Sequence, residues 1–169
     1  MGPAYLGIGF AAKPAALKVP LWALLVASEL LDLLSFGFMA PGMEEMSSYE
    51  VSLDQGLQFI VPGSVPWSHG LIMSIIWSMP GAGVAYLFLK DRRSSLILGL
   101  VVSSHWVLDF IVHAPDLPVL FSDSPVLGLG LWTSGPGFIA SIILELVLLG
   151  FGIGIYRVSR RRKILVDSM

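Results

Sequence analysis

The sequence predicts an all-α membrane protein, a polytopic bundle of four transmembrane helices that forms a single domain over residues 1–169. Three observations predict this class. Hydrophobic residues make up 55% of the chain and charged residues 13%, with a mean hydropathy of +0.81. That composition is far more apolar than a soluble domain needs. Four apolar runs are long enough to cross a bilayer, and the basic residues are confined to three short segments between or beside them.

Each predicted span has about 20 residues, which corresponds to about 30 Å of helix. Pro20 falls in the first turn of the first span, where proline is tolerated, and Pro80 predicts a kink in the second. Residues 1–17 are small and apolar, with glycines and prolines that should interrupt any long helix, so we expect a partly embedded lead-in. The four spans cover residues of about 19–39, 67–89, 95–114 and 136–156.

The distribution of positive charge predicts the topology. All ten Lys and Arg residues lie in the N-terminal segment, in the turn 90–93 or in the tail 157–163. Four spans bring these three regions to one side of the membrane, and the positive-inside rule makes that side cytoplasmic. Both termini are therefore expected in the cytoplasm, while the acidic segment 40–66 and the glycine-rich segment 116–135 face outward. We expect membrane lipids as surroundings and no nucleic-acid partner.

Three ionisable residues at i, i+4 and i+8 predict a functional site in the third span. His105, Asp109 and His113 share one helical face at this spacing. Charged and imidazole groups inside a bilayer are costly and rarely occur without a partner or a purpose. His and Asp one turn apart can bind the same cation, as in other helical metal motifs. This face therefore predicts a metal site.

Other polar residues reach a similar depth in the outer half of the bilayer. Counting 1.5 Å per residue, Asp32 and Glu29 in the first span and Glu145 in the fourth lie level with the third-span pair. His69 begins the second span on the same side. A shared cation would offset the repulsion among these groups, but each single group also has a structural interpretation. Glu145 could bond a neighbouring helix, Glu29 could support a ligand, and the outermost histidines could simply lie near water.

The ligand chemistry favours a divalent metal ion, with zinc first. The chain has no cysteine, and nitrogen and carboxylate ligands without sulfur suit Zn²⁺, Mn²⁺ or Fe²⁺. A metal with an open water position would permit hydrolysis. A free carboxylate nearby, Glu29 or Glu145, is then the predicted catalytic general base.

At these residues the chain resembles the YdjM-like family of bacterial inner-membrane proteins, described as membrane-bound metal-dependent hydrolases. That family carries an Asp-rich end to its first span, a His-Arg-Gly-x-Thr-His-Ser segment and a later His-x-x-x-Asp. Order and approximate spacing agree over residues 25–115. The matching segments are Glu29-Leu30-Leu31-Asp32, Trp67-Ser68-His69-Gly70 and His105 to Asp109.

The chain departs from the family pattern at two places. Ser64 stands where the family has an earlier histidine, followed by Val65-Pro66 instead of Arg-Gly, and only one first-span aspartate is present, as Asp32. The resemblance implies a location in the bacterial inner membrane. The ligands that it implies, with His113 added from the helical spacing, are Asp32, His69, His105, Asp109 and His113.

The expected function is a metal-dependent hydrolase with its site in the outer half of the bilayer, acting on a lipid or on a small amphiphile or solute. Two alternatives stay open. The same groups could carry protons or a cation in a transport or sensing protein. A non-catalytic membrane subunit could instead use Gly150 and Gly154, whose small-xxx-small spacing allows close helix contact, including contact within a homo-oligomer.

Overall fold

A computed structural model describes residues 2–61, 63–121 and 123–167, and these residues are mostly helical. The helices alternate with two short segments of extended chain at one end of the molecule. Within the described residues the helices are α1 (Gly2–Ala12), α2 (Leu21–Ser28), α3 (Leu30–Met39), α4 (Pro66–His69), α5 (Leu71–Leu89), α6 (Arg92–Val112) and α7 (Gly135–Asp167).

Three helices are long and apolar enough to cross a membrane, which is consistent with a membrane protein. They are α5, α6 and the Gly135–Arg162 part of α7. Helices α2 and α3 meet the same criterion only as a pair, and they are bent by 54° at the break between them. Pro80 lies inside α5 without ending it.

The predicted first span is a broken helix. Glu29, with φ −102° and ψ 5°, leaves the helical conformation and separates α2 from α3. The run is apolar on both sides of Glu29 and contains no proline or glycine there, so composition gave no sign of the break. The last helix extends beyond the predicted span, since α7 continues through the basic tail to Asp167. Arg and Lys are good helix formers, so a charged tail need not end a helix.

The N-terminal lead-in is itself a helix, and it begins at the end of the molecule opposite to the basic segments, whereas both termini were expected on the side of those segments. Tyr5 contacts Asp109 on α6, while Phe10 packs against Tyr156 far along α7, with ring centroids 5.7 Å apart. Helix α1 therefore descends parallel to α7, from the end that carries the polar cluster toward the end that carries the basic residues. We call these the site end and the basic end. With 11 residues, α1 is roughly 16 Å long, about half of a bilayer core.

Helix α1 packs against α7 through a glycine contact. A Cβ atom at Gly152 would overlap the backbone of Gly7, and a Cβ atom at Gly7 would overlap the backbone of Leu148. Gly150 and Gly154, which the sequence spacing singled out, instead face open space. The small residues that bring helices together here are therefore Gly7 and Gly152.

The site end is covered by two antiparallel hairpins, which the all-α prediction did not include. Strand β1 (Ser48–Ser52) pairs with β2 (Gly56–Val61), and β3 (Leu117–Pro118) pairs with β4 (Val126–Leu127). Gly56, with φ +78°, lies against the backbone of Trp132 and Ser134, and Gly135 lies against the backbone of Leu53 and Asp54. The first hairpin is therefore held close to the start of α7. The acidic outer segment is thus a folded cover.

The apolar core lies between α2, α3 and α6. Leu24 and Leu31 are fully buried against Val102 and Trp106. The indole Nε1 of Trp106 donates to the carbonyl of His69 at 2.8 Å, which fixes the end of α4 to α6. This core and the Trp106 hydrogen bond therefore hold α3, α4 and α6 together, and each of these helices carries one of the polar residues described next.

Candidate metal centre

Two interruptions in the helices bring polar side chains to a third, continuous helix. Asp32 lies in the first turn of α3, just after the break at Glu29. His69 ends the four-residue helix α4, before Gly70 in an extended conformation starts α5. A Cβ atom at Gly70 would overlap the carbonyl of Pro66, so glycine allows this tight turn. His105 comes from the middle of α6, which supplies the rigid wall of the site.

Asp32, His69 and His105 form a group that could hold a metal ion. One ligand atom from each residue lies within 4.8 Å of the others. Oδ1 of Asp32 is 3.2 Å from Nε2 of His69 and 3.5 Å from Nε2 of His105. Two donors bound to one zinc ion at 2.0–2.2 Å lie roughly 3.3 Å apart at a tetrahedral angle. The observed separations lie close to that value.

Asp109 faces the same two imidazoles from the opposite side. Its Oδ2 atom is 3.5 Å from Nε2 of His69 and 3.4 Å from Nε2 of His105. Asp109 is only 1% exposed, and a buried carboxylate is stable only when it is paired. The Nε2 atom of each histidine is therefore within 3.5 Å of an oxygen of Asp32 and of an oxygen of Asp109.

The hydrogen bonds of His105 determine which of its nitrogens faces the site as an acceptor. Its Nδ1 atom lies 2.8 Å from the backbone carbonyl of Ser28 at the end of α2. A carbonyl only accepts, so Nδ1 carries the proton and donates it. The Nε2 atom is buried, is aimed at the carboxylates and has no hydrogen-bond partner among the described residues. This pattern, with one nitrogen anchored and the other directed inward, is that of a metal-ligating histidine.

Tyr5 is a part of the site that the sequence did not indicate. Its hydroxyl donates to Oδ1 of Asp109, and its ring stacks on that of His105 with centroids 3.7 Å apart and planes at 17°. Tyr5 is 2% exposed. A single tyrosine in a glycine-rich apolar segment gives no pattern to detect, and its role depends on the reversed course of α1.

His113 lies beside the predicted ligands but outside the three-residue group. Its Nε2 atom is 3.9 Å from Oδ1 of Asp109, and its Nδ1 atom is 3.2 Å from Oδ1 of Asp116. Its ring also packs against Trp132, with centroids 4.9 Å apart. The helical spacing was sound, but α6 ends at Val112, so His113 turns toward the wall of the cavity.

The two glutamates proposed as general bases do not line the cavity. Glu29 lies at the α2–α3 break, where its Oε1 atom is buried and has no hydrogen-bond partner among the described residues. Glu145 is half-buried on α7, and no described hydrogen bond or ion pair joins it to Asp32 or either histidine. Depth along a helix placed these residues at the right level, but level alone does not give the direction in which a side chain points.

A cavity of about 210 Å³ opens from the metal group toward the hairpins. Asp32, His69, Asp109 and His113 form its polar floor and side. Apolar residues from α3 and the cover complete the wall, namely Met39, Met46, Leu57, Val65 and Trp132. A small ligand group could therefore reach the metal-binding atoms from the site end.

Comparison with protein-family models, with curated proteins and with solved structures found no match to this chain. The family resemblance over residues 25–115 thus remains an expectation from the motifs. What the chain does must be argued from the geometry of the site.

Proposed function

We propose that this chain is a membrane-embedded, metal-dependent hydrolase that binds one divalent cation between Asp32, His69, His105 and Asp109. The observation that carries the proposal is that the Nε2 atoms of His69 and His105 each lie 3.2–3.5 Å from a carboxylate oxygen of Asp32 and from one of Asp109. The nitrogen and oxygen donor set favours zinc, with Mn²⁺ and Fe²⁺ as the next choices.

Charge balance supports a divalent ion at this position. Two ionised aspartates and two neutral histidines carry two negative charges, which one M²⁺ ion neutralises. Two doubly protonated histidines would also balance the charge, so balance alone does not decide. The orphaned Nε2 of His105 favours the metal, because a buried N–H without a well-formed hydrogen bond is costly.

The site has the parts that hydrolysis needs. A bound divalent metal lowers the pKa of a coordinated water to about 7 and polarises the scissile carbonyl or phosphoryl group. The Nδ1 proton of His113 can be held by Asp116, 3.2 Å away, which leaves Nε2 facing the cavity as a proton acceptor. We therefore reassign His113 from ligand to proton-accepting group, in place of Glu29 and Glu145.

The cavity favours a small amphiphile or a lipid as the substrate. No Lys or Arg lines the described part of the cavity, so a multiply charged anion would have no protein cation to bind. Met46 and Tyr49 line the cavity, and they are 59% and 50% exposed. The apolar wall thus continues onto the outer surface of the hairpin, where an apolar chain could lie while its polar group reaches Asp32.

We also propose four membrane spans, with the bent α2–α3 pair as the first and the basic end in the cytoplasm. Lys18 pairs with Asp91 at 3.7 Å, which places the segment after α1 beside the α5–α6 turn. Single cysteines can test this because the chain has none. In sealed right-side-out membranes Asp54→Cys should react with an impermeant maleimide and Arg93→Cys should not. The reverse pattern would invert the topology.

The serines near the middle of α5 and α6 give no support to a transport pathway. Ser78 bonds Ser103 across the α5–α6 contact at 2.6 Å and also donates to the carbonyl of Ser74. Ser104 donates to the carbonyl of Val101 within its own helix. These hydroxyls form hydrogen bonds within α5 and α6 or between them, which supports a site without a polar path toward the basic end.

Elemental analysis of the purified protein, beside Asp109→Asn, tests the proposal. Wild type should hold about one zinc per chain, and hydrolysis of short-chain ester or phosphodiester probes should depend on it. Asp109→Asn removes a ligand charge at nearly constant volume, so metal and activity should fall together. Asp123→Asn, on an exposed loop at the same end, should change neither. A folded wild type without metal after incubation with zinc would refute the hydrolase and favour a non-catalytic subunit.

A further inference from the structure

A second buried carboxylate lies behind His69, on the side away from the metal group. Glu44 is 3% exposed, although it belongs to the segment between α3 and β1 that the sequence marks as acidic and outward-facing. No Lys or Arg pairs with it among the described residues. Its two carboxylate oxygens instead face Ser68: Oε1 accepts from the backbone N–H at 2.7 Å, and both oxygens lie 2.8–3.0 Å from Oγ.

Ser68 connects this carboxylate to the ligand. Its Oγ atom is 2.7 Å from Nδ1 of His69, and both residues are buried, at 0% and 6% exposure. The Ser68 hydroxyl has a single proton, and an ionised carboxylate can only accept. The hydroxyl therefore donates to Glu44 and accepts from the Nδ1–H of His69. This order leaves Nε2 of His69 as the nitrogen directed at Asp32 and Asp109.

We propose that Glu44 is a positioning residue of the metal centre, acting on His69 through the hydroxyl of Ser68. The inference rests on the proposed metal site and adds an outer partner to it. A histidine ligand usually donates its second N–H to a carboxylate or a carbonyl, which fixes the ring and raises the basicity of the ligating nitrogen. His105 uses the carbonyl of Ser28 for this purpose. His69 instead reaches the carboxylate of Glu44 through the hydroxyl of Ser68.

Glu44 has a structural role that the test must separate from this one. Ser68 lies in the first turn of α4, whose N–H groups lack partners within the helix, and the Glu44 carboxylate caps one of them. A cap alone would stabilise α4 and would leave the bonding of the His69 ring unchanged. The positioning role predicts an effect on zinc affinity and on the Nδ1–H proton itself.

Glu44→Gln and Ser68→Ala, compared with Glu45→Gln, form the test. Glu45 is the adjacent acidic residue, is exposed, and meets Ser64 through its backbone only. Zinc affinity, measured by competition with a chelating dye, should fall about 10–100-fold in the first two variants. It should match wild type in Glu45→Gln. Melting temperatures of the metal-free proteins report any loss of the cap.

Imidazole N–H signals of zinc-loaded, ¹⁵N-histidine-labelled protein provide the second measurement. The His69 Nδ1–H signal should move upfield and exchange faster in Glu44→Gln, while the His105 signal, held by Ser28, should stay in place. Unchanged zinc affinity in both variants would overturn the inference but not the proposed metal site. Weaker zinc binding without a change in the His69 signal would have the same consequence. Failure of both variants to fold without zinc would assign the pair to capping and overturn it as well. A wild type that binds no zinc would overturn both proposals.

Discussion

The two ends of the bundle both carry charged side chains, but they treat them in opposite ways. At the site end Asp109 and His105 are 1% and 0% exposed and lie against groups from other helices. At the basic end the side chains of Lys18 and Asp91 pair at 3.7 Å while 58% and 29% exposed. The exposed Lys18–Asp91 pair is solvated, so the attraction between its charges contributes little. Asp109 and His105 have lost their water.

This difference in burial predicts where a substitution should reduce stability most. An exposed ion pair is typically worth up to about 1 kcal/mol, whereas removing one member of a buried charged group leaves its partners unpaired at a cost of about 3–5 kcal/mol. Substitutions should therefore have effects graded by position along the bundle.

His105→Ala should abolish stoichiometric zinc binding. The change removes a ligand whose Nδ1 atom is anchored and whose Nε2 atom points at both aspartates, so affinity should fall by more than the roughly 10–100-fold typical of outer partners. Ser103→Ala, two residues earlier on α6, should leave metal content unchanged. Zinc per chain by elemental analysis is the measurement, and full occupancy in His105→Ala would erase the distinction between the two ends.

Gly152→Leu should destabilise the folded chain by about 1–3 kcal/mol, the usual cost of overpacking. The new side chain would overlap the backbone of Gly7 and push α1 away from α7. Gly154→Leu, on the open face of the same helix, is the matched control and should be close to neutral. Thermal unfolding in detergent would compare them. Equal melting temperatures would mean that α1 does not depend on this contact.

Tyr5→Phe should weaken zinc binding by about tenfold or less. The substitution removes the hydroxyl that donates to Asp109 but keeps the ring stacked on His105. Tyr86→Phe, near the basic end of α5 and outside the cavity, should have no effect. A dye-competition titration measures both, and an affinity of Tyr5→Phe equal to that of wild type would remove Tyr5 from the centre.

Asp91→Asn should have the smallest effect, and its sign depends on pH. Hydrogen bonds from Ser94 hold the pKa of the Asp91 carboxyl below its usual range. A lowered pKa in the folded state contributes stability above the unfolded value, near 3.9, and this contribution disappears as the pH falls through the folded value. Wild type should melt slightly above Asp91→Asn at pH 7, and the gap should close below about pH 4. A gap that widens on acidification would contradict this assignment.

The sequence predicted those parts of the site that depend on position along a helix. His105 and Asp109 are one turn apart, and depth from the span ends brought Asp32 and His69 to the same level. It could not predict features that depend on direction. Glu145 lies level with the others yet does not line the cavity, and Tyr5 could not be predicted because its contact requires α1 to run from the site end toward the basic end.

The sequence also could not predict which residues of a loop are buried. Glu44 and Glu45 are neighbours of identical type, but one is 3% exposed and the other lies on the surface. Both glutamates follow the turn after α3, in which the backbone amide of Met43 donates to the carbonyl of Phe38. Composition described the whole segment as a solvated acidic loop. Local backbone hydrogen bonds decided which carboxylate faces the protein.

The glycine contact between α1 and α7 has a consequence for the order of biosynthesis. Helix α1 leaves the ribosome before every other described helix, yet the surface on which it rests belongs to the last one made. Until α7 has been translated, Gly7 has no backbone to lie against, so α1 lacks one of its close contacts. Asp32, His69, His105 and Asp109 have all been translated one helix earlier. The side chains of the candidate centre therefore exist before the oldest helix gains its final contact and Tyr5 is fixed over His105.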